Sequence, residues 1–369
     1  MSTIPPSYLV VPYREFVLRT SISCRAFKLD HLRKDPNNFH PKYSKYLRGR
    51  FPHVVPHANI TFDDVEQFYT KTLVKKKVNS APIDTSFAKN ITFENIPYQY
   101  ENEMWFPVGV TSAQRTAIIV PLQGRAYNAK AFLLNMHAFL RRQQLTYIIF
   151  LIEQILPGSP QFNKGRLFNT AVRYIQQKNL NITCLILHDV DLLPEDDGNF
   201  YTCESKHPKH TTSRVRSLGT NTGYMRYYEF LIGGVLLLSF DMYKKLNGFS
   251  NLYWGWGGED DDLALRLIQR QMCVVRPSYE LAIYIGLPHP RGKRNDARFG
   301  LLTWTTVRFP QDGYAQIEPL TRIMSTRQTS TVVHLQVDVN VMPNHKNSLV
   351  IEKKTSNVSN NVTARKSVT

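Results

Sequence analysis

The chain has few cysteines and no long apolar run, and each of these absences excludes a class of protein. Four cysteines among 369 residues are too few for a disulfide-stabilised scaffold, and no C-x-x-C pair suggests a zinc site. No apolar run approaches the roughly 18 to 20 residues that a membrane-spanning helix needs. The longest, residues 230–240, contains two glycines and is better explained as a buried strand. Because no charged segment followed by an apolar one begins at Met1, we expect a soluble protein without a signal peptide.

Acidic residues are also scarce relative to basic ones. Lys and Arg total 46 against 29 Asp and Glu, which gives a net charge of +17. Such a surplus is typical of proteins that bind nucleic acid, an anionic surface or an anionic small molecule. The basic residues are scattered, with small clusters at residues 75–77, 291–298 and 353–354, and no helix-turn-helix, finger or RNA-binding signature accompanies them. We therefore expect no nucleic-acid partner.

Sequons for N-glycosylation are present in several parts of the chain. The five N-x-S/T sequons lie at Asn59, Asn90, Asn181, Asn357 and Asn361. Sequons also arise by chance, but five together weakly favour a secretory compartment.

Composition divides the chain into three segments. Residues 1–103 are rich in Lys, Pro, Asn and His without a sustained helical or strand period, which predicts a partly irregular stem or wrap. Residues 104–339 carry regular patterns and are predicted to form the main folded domain. Residues 340–369 are polar and rich in Lys, Asn, Ser and Thr, which predicts a disordered tail.

Strand and helix patterns alternate in the segment that begins near residue 116. The apolar runs TAIIVPL, YIIFLI and CLILHDVD predict strands, and the two stretches between them, residues 129–142 and 165–177, predict helices. Further on, FLIGGVLLLSF predicts a strand and residues 261–271 a helix. This order predicts an α/β fold with a mostly parallel central sheet and helices on both faces. Ligands of such sheets bind beyond the carboxyl ends of the strands, where PLQGR and HDVD lie.

The HDVD segment supplies a candidate metal site. On a strand, residues i and i+2 point the same way, so Asp189 and Asp191 at a strand's end can face one cation. Carboxylate oxygens suit Mg²⁺ or Mn²⁺, and an ion held there would neutralise a leaving pyrophosphate. A turn or helix cap is the alternative, although uncompensated carboxylates beside so apolar a strand would be costly.

The stretch WGWGGEDDD, residues 254–262, supplies a candidate catalytic base. A helix N-terminus accounts for one or two acidic residues through its dipole and free N–H groups. Four in succession exceed that need and raise one another's pKa, which suits a general base that takes a proton from a sugar hydroxyl. The flanking glycines favour a loop whose tryptophans, Trp254 and Trp256, close over a sugar, with core packing as the alternative.

These motifs together resemble the β-1,4-galactosyltransferase family. Besides WGWGGEDDD and HDVDLLP, the chain has NGF, AIIVP-x-x-x-R, RRQQL-x-Y, FN-x-x-x-L-x-N, IGG and a terminal strand VVHLQVDV, in the family's order over residues 111–338. The resemblance implies a GT-A-type fold, a UDP-sugar donor, Mn²⁺ and inversion at the anomeric carbon. The implied reaction is β-1,4 transfer of galactose or N-acetylgalactosamine to a terminal N-acetylglucosamine, or a related sugar, of a glycoprotein or glycolipid in the Golgi lumen.

The resemblance also implies roles for individual residues. The implied donor site comprises Pro121, Leu122, Gln123, Arg125, Phe162, Lys164, Val190, Asp191, Leu231 and Trp256. The implied acceptor site comprises Gly258, Glu259, Asp260, Asp261 and Arg298. Within it, Asp260 is the implied catalytic base and Glu259 the acid beside it, whereas Asp262 is expected to be only a helix-start residue. The implied metal ligands are Asp191 and His289.

The cysteines divide into a matched pair and an unmatched pair. Cys184 and Cys203 fall on a disulfide of the family, so the resemblance implies a bond between them rather than two buried thiols. Such a bond favours an oxidising compartment. Cys24 and Cys273 have no counterpart and stay unassigned.

At three places the chain departs from the family pattern. Gln123 replaces an arginine of the donor loop, which removes a charge-assisted contact worth about 1.5–3 kcal/mol. Gly286 and Leu287 stand where the family has a further metal ligand, which predicts weaker Mn²⁺ binding. Leu231 replaces a tyrosine next to IGG, and the smaller side chain resembles the branch that uses N-acetylgalactosamine. A family member that binds sugar or nucleotide without efficient turnover is the alternative function.

Overall fold

The structure is a computed structural model, and it describes most of the chain from residue 96 onward with separate pieces before it. The described residues are 22–24, 40–51, 53, 60–71, 96–155, 161–218, 223–226, 228–290 and 292–340. Residues 341–369 of the predicted tail and four of the five sequons lie outside them. No helix in the described ranges is both long and apolar enough to cross a bilayer.

The helices follow the predicted order. The described residues form α1 (Phe62–Lys71), α2 (Ala126–Arg142), α3 (Lys164–Gln177), α4 (Phe240–Lys245), α5 (Glu259–Gln269), α6 (Arg298–Thr303) and α7 (Thr305–Arg308). The predicted helices at residues 129–142, 165–177 and 261–271 correspond to α2, α3 and α5, with starts one to three residues earlier.

The strands form two sheets. They are β1 (Tyr98–Glu101), β2 (Met104–Pro107), β3 (Arg115–Leu122), β4 (Thr146–Gln154), β5 (Cys184–His188), β6 (Leu192–Pro194), β7 (Lys209–His210), β8 (Arg214–Ser217), β9 (Met225–Arg226), β10 (Val235–Ser239), β11 (Ile283–Gly286), β12 (Arg322–Gln328) and β13 (Val333–Asp338). The main sheet has nine strands and the second has four, in the order β6-β11-β8-β9.

The main sheet is parallel at its centre and antiparallel at its edges. Its order is β1-β2-β4-β3-β5-β10-β7, with β13 beside β4 and β12 beside β13. Strand β3 runs parallel to β4 and β5, and β13 runs parallel to β4. The hairpins β1-β2 and β12-β13 and the strand β10 add antiparallel pairings. The α/β prediction is confirmed, but the sheet is mixed rather than mostly parallel.

Helices cover both faces of the sheet because its central strands are apolar on both sides. Along β3, Ile118 and Val120 join the core that contains α2, whereas Ala117 and Ile119 join the core that contains α3. This alternation is the period of two that a strand imposes. The parallel pairing of β3 with β5 places the carboxyl ends of both strands, and the segments that follow them, at one edge of the sheet.

Strand β10 is shorter than the predicted strand at residues 230–240. It begins only at Val235, because the preceding Gly234 has a left-handed φ of +89° that interrupts an extended chain. It ends where Ser239 caps the first turn of α4, its side chain accepting from the N–H of Met242. Residues 230–234 are thereby released from the sheet to form a loop.

Regular structure also begins before the boundary placed between residues 103 and 104. The β1-β2 hairpin pairs Glu101 with Met104 across that boundary. Helix α1 packs Val65, Phe68 and Tyr69 into the same core as α2. Parts of the segment predicted to be irregular therefore belong to the folded body.

Two disulfides are present among the described residues. Cys184 is bonded to Cys203, as the resemblance implied. Cys24 and Cys273, which had no assigned partner, form the second. Beside it, the N–H of Cys24 donates to the carbonyl of Val274 at 2.9 Å, so the segment 22–24 is held against the chain that follows α5.

Candidate active site

The acidic residues after β5 lie in a turn whose backbone is supported by the buried side chain of His188. Strand β5 ends at His188, so Asp189 and Asp191 do not share a strand face as predicted; their carboxylates take different partners. His188 Nδ1–H donates to the carbonyl of Asp189 at 2.8 Å, and His188 Nε2 accepts from the hydroxyl of Tyr201 at 2.8 Å. Burial lowers the pKa of His188 to about 4, which keeps this support neutral.

Asp191 pairs with the second implied metal ligand. Its Oδ2 lies 2.7 Å from Nε2 of His289. The hydrogen bond to Asp191 raises the pKa of His289. Burial alone would raise the pKa of Asp191, but the hydrogen bond and the charge of His289 outweigh burial and lower it. The other imidazole nitrogen, Nδ1, contacts the carbonyl of Pro290 at 2.8 Å, and Arg125 Nη2 donates to the same carbonyl at 3.2 Å. Arg125 at the start of α2 is thus joined to the His289 segment.

These residues fit a divalent ion through two protein ligands. A carboxylate oxygen and an imidazole nitrogen suit Mn²⁺, and a backbone carbonyl that orients the far nitrogen is the usual support of a metal-bound histidine. At the positions of the family's further ligand, Gly286 has no side chain and Leu287 is buried in the core. Among the described residues, the one close group of three potential ligand residues is Cys24, Cys273 and His207, in which the sulfurs are bonded to each other.

Lys164 connects the two acidic motifs. It is the first residue of α3, and its Nζ lies 2.6 Å from Oδ1 of Asp189 and 3.8 Å from Oε1 of Glu259. Burial disfavours the charged form, but Asp189 and Glu259 outweigh burial and raise the pKa of Lys164. The helix starts here because Asn163 caps it, accepting from the N–H of Arg166 at 2.9 Å. The sequence pattern placed Lys164 at the donor only and did not reveal the contact with Glu259.

The acidic run divides by burial within the first turn of α5. Gly258 precedes it with a φ of +98°, and a Cβ there would lie 2.7 Å from Tyr253. Glu259 is buried, and its Oε2 has no hydrogen-bond partner among the described residues. Burial raises the pKa of Glu259, and Lys164 opposes this rise.

Asp262 has a larger role than the predicted helix start. It is fully buried, with Oδ1 2.7 Å from Nε of Arg266 and Oδ2 2.5 Å from Nη2 of Arg308. Tyr253 and Thr305 also donate to its Oδ2. Asp262 therefore fixes α5 to α7, and the ion-pair partner Arg308 is too distant in sequence for a local pattern to show.

Asp260 touches the loop that carries Leu231. A Cβ on Gly233 would collide with Oδ2 of Asp260, so a glycine is required where the loop passes the carboxylate. Burial, and then the neighbouring Glu259, raise the pKa of Asp260 to about 7. Tyr228, at the start of the same loop, donates its hydroxyl to Asp261 at 2.8 Å. No motif pointed to Tyr228.

The tryptophan loop is anchored through its backbone. Trp256 donates its N–H to the carbonyl of Lys293 at 2.7 Å and accepts from the N–H of Asn295 at 2.9 Å, while its side chain is 61% exposed. Trp254 is instead partly buried, with the guanidinium of Arg166 4.8 Å from its ring. The two tryptophans therefore differ: Trp256 is largely exposed to solvent, whereas Trp254 is packed against its neighbours.

The remaining predicted residues surround this centre. Arg298 begins α6 and packs on Gly258, where its Cβ lies 3.0 Å from the place of a glycine Cβ. Phe162 accepts at its carbonyl from the N–H of Gly255 at 2.8 Å, which joins it to the tryptophan loop. Three others lie at the strand ends: Pro121 and Leu122 are buried at the end of β3, and Val190 is buried in the turn after β5. Gln123 is partly exposed just after β3.

Two family models match the chain. One, described as the N-terminal region of glycosyl transferase group 7, matches residues 71–204. The other, described as the N-terminal domain of galactosyltransferase, matches residues 214–290. Together they cover β3, β5, α3 and α5, which hold the acidic centre.

Curated relatives agree with these models. β-1,4-Galactosyltransferase 4 of Mus musculus is 36% identical over 259 residues, which are 68% of this chain and 72% of that protein. β-1,4-Galactosyltransferase 3 of Homo sapiens is 41% identical over 210 residues, or 56% of this chain and 52% of that protein. The chain thus spans about half the length of the type 3 relatives that it matches. The chain belongs to the β-1,4-galactosyltransferase family.

Solved structures show the same fold. The catalytic domain of Drosophila β-1,4-galactosyltransferase 7 in complex with xylobiose aligns with a TM-score of 0.51 at 24% identity, over 62% of this chain and 94% of that chain. A mutant of that enzyme in complex with manganese, UDP-Gal and xylobiose aligns with a TM-score of 0.52 at 25% identity, over the same shares. The GT-A-type fold expected from the resemblance is confirmed.

Proposed function

We propose that the chain is an inverting β-1,4-glycosyltransferase that transfers galactose or N-acetylgalactosamine from a UDP-sugar to a terminal N-acetylglucosamine, or a related sugar, of a glycoprotein or glycolipid. The observation that carries this proposal is the Lys164 bridge, in which one ammonium group contacts Asp189 of HDVD and Glu259 of WGWGGEDDD. The bridge sets the donor-side and acceptor-side motifs next to each other, as direct transfer between two sugars requires.

Asp260 is proposed as the general base. Its pKa near 7 lets it take the proton of an acceptor hydroxyl at neutral pH. The hydroxyl oxygen then forms its bond to the anomeric carbon as the bond from that carbon to the UDP oxygen breaks on the opposite face. A single displacement of this kind inverts the anomeric configuration. Glu259, Asp261 and Arg298 are proposed to bind the acceptor sugar around Asp260.

The UDP side is proposed to lie at the carboxyl ends of β3 and β5. Arg125 and Lys164 supply positive charge there, and Asp191 and His289 would hold a divalent ion. When bound, Mn²⁺ would neutralise charge on the leaving diphosphate. The Drosophila relative that contains manganese and UDP-Gal supports both groups for this chain.

Leu231 bears on the choice of donor sugar. It lies on the loop that touches Asp260, and its side chain is partly exposed. An aliphatic side chain there, in place of the family's tyrosine, is proposed to leave room for the acetamido group of N-acetylgalactosamine.

The second candidate function is binding of sugar or nucleotide without efficient turnover. It is favoured by Gln123 in the donor loop and by a metal site to which the protein would contribute only two ligands, Asp191 and His289.

Transfer is expected to require Mn²⁺. Purified protein is assayed with UDP-galactose and UDP-N-acetylgalactosamine against N-acetylglucosamine acceptors, with EDTA and then with added Mn²⁺. We expect product only with Mn²⁺ and turnover of UDP-N-acetylgalactosamine at least equal to that of UDP-galactose.

His289→Gln is expected to raise the half-saturating Mn²⁺ concentration at least about tenfold. Because the pKa of His289 is raised, protons compete with the ion, and the parent should need more Mn²⁺ as pH falls.

The matched control is His334→Gln, which removes a partly buried histidine 3.0 Å from Glu153, on β4. This variant should keep the parental Mn²⁺ requirement. Full transfer in EDTA would contradict the metal proposal. Nucleotide binding without any transfer, across both donors, would favour the second candidate function.

The proposed compartment is the Golgi lumen, because the relatives are galactosyltransferases and the chain contains two disulfides. The structure offers a direct test at Asn181, which is exposed and has a left-handed φ of +52° between α3 and β5. We expect an N-glycan there after expression through a secretory pathway. It would lie at the amino end of β5, a strand of about 17 Å, and so away from the Asp189 end.

Peptide mapping after enzymatic deglycosylation in heavy-oxygen water checks this prediction by the conversion of Asn181 to labelled Asp. Asn181→Gln should abolish the signal, whereas Asn179→Gln, at an exposed residue outside any sequon, should leave it. A wholly unmodified Asn181 in secreted protein would contradict the prediction.

A further inference from the structure

Two side chains hold the backbone of the loop that carries Leu231. Arg276 Nη2 donates to the carbonyls of Glu229 at 2.6 Å and Leu231 at 2.8 Å. His210 Nε2 donates to the carbonyl of Gly233 at 2.7 Å. Three carbonyl groups in five consecutive residues are thereby fixed from one side, and the loop has no strand pairing of its own at these positions.

Arg276 and His210 act as a unit. Arg276 Nη1 contacts Nδ1 of His210, and since a guanidinium can only donate, Nδ1 must accept. The imidazole proton therefore sits on Nε2, which is the atom that faces Gly233. Burial, and then the charge of Arg276, lower the pKa of His210 to about 3, so the ring remains neutral.

The segment 22–24 completes the surroundings of Arg276. Nε of Arg276 donates to the hydroxyl of Ser23 at 3.2 Å. The segment is held in place by the Cys24–Cys273 disulfide and by the N–H of Val274, which donates to the carbonyl of Ile22 at 2.7 Å. Arg276 therefore connects the disulfide-tethered segment to the loop.

We propose that Arg276 is a positioning residue that sets the donor-sugar pocket by fixing the carbonyls around Leu231, directly and through His210. The inference rests on the proposed function in one respect, that Leu231 faces the sugar of a UDP-sugar. Within the part of the chain that the structure describes, the hydrogen bonds of Arg276 go to Ser23, His210, Glu229 and Leu231. The proposed nucleotide-side residues Arg125, Asp191 and His289 have other partners. Loss of Arg276 should therefore weaken recognition of the sugar and spare recognition of UDP.

The test is Arg276→Lys, which keeps the charge but cannot span two carbonyls, a hydroxyl and an imidazole at once. Calorimetry measures binding of UDP, UDP-galactose and UDP-N-acetylgalactosamine in the presence of Mn²⁺ and needs no turnover. We expect affinity for at least one UDP-sugar to fall about tenfold, which corresponds to one charge-assisted hydrogen bond. Affinity for UDP should stay within about twofold of the parent. In the double variant with Leu231→Ala, the two effects should be less than additive.

Arg270→Lys is the matched control, since exposed Arg270 also donates to a backbone carbonyl, that of Lys245 at 3.1 Å, at the far end of α5. It should leave all three affinities unchanged. Ser23→Ala, which removes one acceptor without disturbing the core, should show a smaller loss of the same kind and serves if Arg276→Lys does not fold. Equal losses for UDP and UDP-sugars, or additive effects with Leu231→Ala, would overturn the proposal. A parent protein that binds neither UDP nor UDP-sugar would refute the proposed function as well.

Discussion

Asp260→Asn is expected to lower transfer about 10³-fold, the middle of the range for loss of a general base, while binding of the UDP-sugar is retained. The amide cannot take the acceptor proton at any accessible pH. It can still accept the N–H of Asp261, which bonds to Oδ1 of Asp260 at 3.0 Å in the parent. The start of α5 should therefore keep its geometry, so the loss is chemical. The measurements are initial transfer rates and calorimetric binding of UDP-sugar.

The same carboxyl predicts the pH dependence of the parent. Because burial and Glu259 raise the pKa of Asp260 to about 7, the base form is lost below that pH, and kcat/KM should fall about tenfold per pH unit on the acid side. The raised pKa means that the folded state binds this proton more tightly than the unfolded chain. The protonated Asp260 carboxyl therefore stabilises the folded state fully below the pKa that it has in the unfolded chain, and this contribution is lost as pH rises through about 7. Asp260→Asn should then be no less stable than the parent at pH 8.

Asp241→Asn is the matched control, since Asp241 is a largely exposed acid in the first turn of α4. It should leave transfer and the pH profile unchanged. Parental turnover in Asp260→Asn would remove Asp260 as the base and direct attention to Glu259, whose pKa is also raised by burial.

Local patterns were sufficient to predict the central elements. Helices α2, α3 and α5 and strands β3 and β4 match their predicted positions closely, because each has a strong apolar period, whereas β5 ends at His188, three residues before the end of the predicted strand. The site residues in HDVD and WGWGGEDDD were also visible, since four adjacent acids after glycines exceed what a helix start needs. The edges were less predictable: VVHLQVDV was expected to be a terminal strand and is β13, but its hairpin partner β12 and its parallel pairing with β4 were not expected.

Long-range partners could not be predicted from these patterns. Cys24 pairs with Cys273 across 249 residues, and neither residue has a neighbouring motif that marks it. Asp262 looked like the last of four helix-start acids, but its burial depends on Arg308, 46 residues away. Likewise, Gly233 needs to be glycine because of Asp260, on a different element. In each case the chemistry is set by tertiary contact rather than by sequence neighbours.

Lys164→Met is expected to lower transfer about 100-fold, the loss typical of a single group that stabilises developing charge. Asp189, Glu259 and Asp260 would lose the cation that their carboxylates surround, and the leaving diphosphate would lose a positive neighbour. The free energy of unfolding should fall by about 2 kcal/mol, between the values for exposed and buried ion pairs, since Lys164 is 16% and Asp189 29% exposed. Transfer assays and thermal unfolding measure the two effects.

Two further variants separate charge from packing. Lys164→Arg keeps the positive charge and, with a fork that can contact Asp189 and Glu259 together, should keep transfer at or above the parental rate. Lys244→Met removes a lysine that pairs with Asp241 at 3.1 Å on the surface of α4 and should change neither rate nor stability measurably. If Lys164→Met retained full transfer, the bridge would be only structural, and the two acidic motifs would have to act together without it. A loss in Lys164→Met that Lys164→Arg reverses would assign the effect to positive charge between the motifs, because methionine keeps most of the volume of the lysine side chain.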